Sequence, residues 1–203
     1  MFKEEKSTTK SYVMQGLESK KELSVYHLIL APTFDCNLRC KHCYLPDHNQ
    51  DYLPKDLALK LVDDWSEIVL DRKGQYNGIF HIKGGEPFVL PYFWELVDKV
   101  VSKKSLQLML TTNGTFNDKY TISKLVIANN ELDRNLSVIV SLDGASEESN
   151  SKLRGKGHFK KALKFLDELQ QKGINFYLNC VLFKGNFEEI KDYINIAREY
   201  KAT

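Results

Sequence analysis

No stretch of this sequence comes near the ~20 consecutive apolar residues that a membrane-spanning helix requires. The opening MFKEEKSTTKSYVMQG has neither the apolar core nor the small-residue cleavage site of a secretory signal. An excess of one charge is lacking too, since 29 Lys and Arg against 27 Asp and Glu leave a formal net charge of +2. A nucleic-acid or anionic-membrane partner would want a basic excess gathered in one place, so neither is expected. Cysteine is scarce at four residues, yet three of the four fall between positions 36 and 43. With no export signal the chain reads as cytoplasmic, where thiols stay reduced and clustered cysteines more often hold metal than form disulfides.

What is present is an ordinary globular composition, 42% apolar and 28% charged, over 203 residues, enough for one domain with a real core. Residues 1–24 are polar and read as an N-terminal arm; residues 25–203 read as one core domain, cut short at its C-terminal end. From Val25 onward one unit recurs. Apolar runs at Val25–Ala31, Ile79–Lys83, Leu106–Thr112, Leu136–Leu142 and Phe176–Phe183 predict five strands. Between them lie five helical patterns: after Pro54 with Leu57, Leu61, Trp65 and Ile68 on one face, then Tyr92–Lys103, Asp118–Asn130, a segment carrying Phe159, Leu163, Leu166 and Leu169, and one opened by a capping box of Asn186 and Glu189. Alternating strands and helices imply right-handed crossovers and a parallel sheet buried on both faces. The fold class is therefore α/β: a partial (β/α)6 TIM-like barrel with about five β/α units. Working loops in such folds leave the C-terminal ends of strands. The four unusual segments, the cysteine loop, GGEP, TTNG and SLDG, all sit there.

In TFDCNLRCKHCYLP, Cys36, Cys40 and Cys43 have the spacing C-x3-C-x2-C. Three thiolates can hold three irons of a cubane and leave the fourth open to a small molecule. They could equally bind zinc with His48 as fourth ligand; His42, lying between two cysteines, is poorly placed for the same metal. Spacing alone leaves both readings open.

The loop resembles the cluster loop of the radical S-adenosylmethionine (SAM) superfamily, with His42 where that family usually has an aromatic residue. Gly84-Gly85-Glu86-Pro87 looks like its GGEP motif, and Ser141-Leu142-Asp143-Gly144 with Leu153-Arg154-Gly155 is similar to the SxDG…RG pattern of its SPASM-type, peptide- and protein-modifying subgroup. The resemblance implies a [4Fe–4S] cluster on Cys36, Cys40 and Cys43. It also implies reductive cleavage of SAM to methionine and a 5′-deoxyadenosyl radical, which takes a hydrogen atom from a peptide or protein. By the same resemblance Gly84, Gly85, Glu86 and Pro87 hold the methionine amine, Ser141 the ribose or carboxylate and Arg154 the carboxylate. Asn113, and Asn179 or Val181, line the nucleoside pocket. An electron donor of flavodoxin or ferredoxin type is the implied partner.

Read without that resemblance, Asp143-Gly144 is a turn and Arg154 a surface residue. Cys180 reads as a small core hydrophobe, Tyr44 as packing, His27 and His81 as satisfied core or rim residues, and His158 as local to a helix start. Two alternative functions remain beside the enzyme. One is a truncated domain that binds SAM or a partner without turnover. The other is a zinc module with a closed four-ligand site and no affinity for SAM.

Overall fold

The structure, a computed structural model, describes residues 26–45, 48, 51–70 and 78–203. The N-terminal arm of residues 1–24 lies outside them. Five strands, Tyr26–Leu30 (β1), Gly78–Ile82 (β2), Leu106–Thr112 (β3), Leu136–Ser141 (β4) and Asn175–Asn179 (β5), form one sheet in the order β1-β2-β3-β4-β5. Every neighbouring pair is parallel. Among the described residues the α-helices are Lys55–Leu70 (α1), Phe93–Val101 (α2), Lys119–Glu131 (α3), Glu147–Arg154 (α4), His158–Gln171 (α5) and Ile190–Glu199 (α6). Strands in strictly sequential order, joined by crossovers of one hand, put their helices on a single side. That is the start of a barrel wall, as expected, and not of a doubly wound sheet.

Burial follows from this winding. Phe80, Leu108, Leu110, Val138, Val140 and Phe176 point toward the helices and are essentially buried, together with Leu96, Val100, Leu125, Phe165 and Leu169 from the helices. The other sheet face alternates out of this core, with Ile29 at 53% exposure and Tyr177 at 37%. The expectation of a sheet buried on both faces is thus corrected: among the described residues helices cover one face, and the strands alternate instead of reading as continuously buried.

Three further expectations change. On α1 the buried stripe is Ala58, Val62, Ser66 and Val69, while Leu57 and Ile68 are exposed. Small Ala58 and Ser66 turn inward because the helix lies close to the sheet, so the stripe is rotated one residue from the most apolar one. Strand β5 ends at Asn179, four residues before the predicted Phe183. Cys180 therefore follows the strand, partly buried, with Sγ 3.8 Å from Asn186 Nδ2. Helix α4 falls where a loop was read after SLDG; it is opened by Ser146, whose hydroxyl accepts from Ser149 N while Ser149 Oγ accepts from Ser146 N.

Candidate active site

The C-terminal ends of all five strands surround one cavity of about 290 Å3. The cysteine loop after β1 forms one wall and is bound to the GGEP loop through main-chain bonds: Gly85 N to Thr33 O (2.9 Å) and Glu86 N to Asp35 O (2.8 Å). These contacts explain the paired glycines. A Cβ on Gly85 would stand 2.0 Å from Asp35 O, and one on Gly84, at φ +138°, 2.4 Å from Thr33 O. Lys41 N donates to Leu153 O, which ties the same loop to the end of α4.

Cys36, Cys40 and Cys43 are free, partly buried thiols that line this cavity. Cys36 Sγ accepts from Leu38 N (3.4 Å) and Asn113 Nδ2 (3.8 Å), donors of the kind that support a thiolate ligand. Burial pushes the Cys36 thiol up to about 11 and raises Cys40, with Arg154 opposing the rise at Cys40. Among the described residues no three His, Cys, Asp or Glu side chains converge on a single metal-sized point. Three thiolates facing one cavity are a donor set that suits a cubane, in which each binds a different iron. His48, the alternative zinc ligand, does line the cavity.

Of the other anticipated site residues, Gly84, Gly85, Asn113, Ser141, Arg154, Asn179 and Val181 line the cavity as well. Glu86 and Pro87 stand behind this lining. Glu86 is fully buried and accepts from Asn113 N (2.7 Å) and Thr112 Oγ1 (2.8 Å), and from Phe88 N at the start of the short 3-10 turn Pro87–Val89. Burial raises its carboxyl to about 7, against the pull of those hydrogen bonds. Its direct work in this structure is to hold the TTNG turn in place.

Several residues read as bystanders support the site. His158 is buried, not local: Nε2 donates to the Asn113 carbonyl (2.7 Å) and Nδ1 accepts from Asn150 Nδ2 (2.9 Å). Burial lowers it to about 4, so the ring is neutral, as this bonding pattern requires. Asn186 makes no capping box. Its amide donates to Asp143 O (2.7 Å) and Val181 O (2.9 Å), and its Oδ1 accepts from Phe183 N. Asp143, expected only as a turn, is wholly buried and accepts from Arg154 Nε and Val181 N, with His42 Nε2 3.2 Å from its Oδ2. Tyr44 is 71% exposed at the cavity mouth, with Lys83 Nζ 5.7 Å from its ring centre, and is not a packing residue. On the open sheet face His81 is buried, 3.3 Å from His27 and 2.7 Å from Thr111 Oγ1.

The sequence matches the family described as Radical SAM superfamily over residues 30–197. Among similar proteins, the mycofactocin maturase MftC of Mycolicibacterium smegmatis is 31% identical over 84% of this chain and 41% of its own length. The Fe-coproporphyrin III synthase of Methanosarcina barkeri is 30% identical over 94% of this chain and 44% of its own. In fold, the chain is similar to Streptococcus suis SuiB, solved with its precursor peptide SuiA (TM-score 0.69, 22% identity, 88% of this chain and 38% of SuiB) and with S-adenosylmethionine (TM-score 0.71). This chain thus spans about two fifths of the relatives it matches.

Proposed function

The chain belongs to the radical SAM superfamily, whose members use a [4Fe–4S] cluster and SAM, and from that premise we propose that it is the core of an enzyme that cleaves SAM reductively to modify a peptide or protein side chain. The observation that carries this reading is the convergence of all four motif loops, with all three clustered cysteines, on one cavity. When bound, the cluster supplies the electron that splits SAM into methionine and a 5′-deoxyadenosyl radical.

Cys36, Cys40 and Cys43 are the cluster ligands in this reading. The backbone of Gly84 and Gly85, which lines the cavity, takes the methionine amine. Glu86, behind them, keeps Asn113 and the TTNG turn in register. Arg154 pairs with the methionine carboxylate, and Ser141, Asn113, Asn179 and Val181 flank the nucleoside. A peptide substrate is supported by the SLDG…LRG pattern and by the likeness to SuiB, which was solved with a precursor peptide. A small flavodoxin or ferredoxin type protein delivers the electron.

The test is 5′-deoxyadenosine formation by the anaerobically reconstituted, chemically reduced chain given SAM. The nucleoside should appear with the native chain and vanish with Cys40→Ala. A loaded cluster without any 5′-deoxyadenosine would count for the domain that binds without turnover.

A further inference from the structure

The Asp143 carboxylate joins separate walls of the cavity, yet it does not line it. With none of its surface exposed, it accepts from Arg154 Nε at 2.5 Å on Oδ2 and from Val181 N at 2.8 Å on Oδ1, and His42 Nε2 stands 3.2 Å from Oδ2 on a third wall. Its own N–H donates to Asn150 Oδ1 (3.0 Å) and its carbonyl accepts from Asn186 Nδ2 (2.7 Å). A buried carboxylate with a full set of partners fixes whatever it touches, because breaking any one of them leaves a charge or a donor unpaired away from water. Among the described residues Arg154 is bonded only through Nε, so the two terminal nitrogens of its planar fork remain for a ligand on the cavity side. An Arg fork recognises a carboxylate by a pair of parallel bonds, and that selectivity depends on the angle at which the fork is held.

We infer that Asp143 is the positioning residue for recognition of the ligand's carboxylate. It aims the Arg154 fork into the cavity and, through His42, locks the angle of the cysteine loop against it. The inference rests on the reading of the cavity as a SAM site. It also gives His42 a role, since the ring nitrogen 3.2 Å from Asp143 Oδ2 seats the loop between Cys40 and Cys43 against that carboxylate. Asparagine cannot replace Asp143: with its oxygen toward Val181 N, its amide meets the Arg154 Nε–H. If the amide is reversed, it meets the Val181 N–H.

The test is equilibrium binding to the full chain, reconstituted with iron and sulfide without oxygen, of two ligands: SAM, and decarboxylated SAM, which keeps the sulfonium and nucleoside. With Asp143→Asn, iron content should match the native chain. SAM affinity should fall at least roughly tenfold, the loss expected for a misdirected charge-assisted pair, while decarboxylated SAM binds as before. Equal loss of both ligands, or loss of neither, overturns the inference. Should D143N not fold, Arg154→Lys keeps the charge without the Nε bond and must show the same carboxylate-selective loss; unchanged SAM binding by R154K overturns the inference. A native chain that carries its cluster and binds neither ligand contradicts the SAM site itself, a separate failure.

Discussion

At the scale of single residues the site depends on buried polar groups such as Glu86, Asp143 and His158, whose partners come from several loops. Glu86 illustrates the cost and the consequence. Its carboxyl titrates near 7 in the fold against an ordinary 4.5, because burial disfavours the charge more than its three donors favour it. The folded chain therefore binds more protons than the unfolded chain between those values. The stabilisation is complete below about pH 4.5 and is lost as pH rises through 7. Glu86→Gln lacks this slope. Its stability deficit relative to the native chain should shrink by about 3 kcal/mol from pH 4.5 to pH 7.5, measured by urea unfolding at each pH; parallel pH profiles would contradict the account. That the three cysteines and the paired glycines would meet at one cavity was legible because both are contiguous motifs at strand ends. Asp143 and His158 were not, because their partners come from positions 42, 154, 181, 113 and 150, and only the fold brings these together.

At the scale of elements, loop-to-loop backbone pairing fixes the cavity walls. The GGEP turn and the cysteine loop approach so closely that a methyl on Gly85 overlaps the Asp35 carbonyl. Gly85→Ala should thus cost about 1–3 kcal/mol, the usual penalty of overpacking, and should lower the iron retained after reconstitution. A variant with native melting temperature and full iron content would refute this close approach. The strands were readable from apolar runs, with ends wrong by a few residues where side-chain bonds such as Asn186 to Val181 take over from the ladder. Helix α4 escaped notice because its sequence, EESNSKLR, is nearly all polar and announces itself only through its serine cap. The face of α1 was misread because the two small residues facing the sheet are weaker signals than exposed Leu57 and Ile68.

At the scale of the whole molecule, sequential parallel strands put a one-sided core beneath helices and leave the opposite sheet face beside the cavity. Two truncations separate the faces. Leu108→Ala, in the middle of β3 and 1% exposed, should cost about 2–5 kcal/mol. Ile29→Ala on the open face, at 53% exposure, should cost under about 1 kcal/mol. Similar penalties in chemical denaturation would mean that both faces are covered in solution. The fold class was legible from strand–helix alternation, whereas one-sided coverage depends on strand order, which periodicity does not encode. Among the described residues no helix is long and apolar enough to cross a membrane.

The central claim is that Cys36, Cys40 and Cys43 hold a cluster with one iron open to SAM. Low-temperature electron paramagnetic resonance of the reduced, reconstituted chain, recorded before and after adding SAM, tests it most directly. The account predicts a [4Fe–4S] signal that changes shape when SAM binds. It also predicts that Asp143→Asn keeps the signal but needs more SAM to produce the change. A chain that holds zinc in these cysteines, or a cluster signal that SAM leaves untouched at saturation, would contradict it.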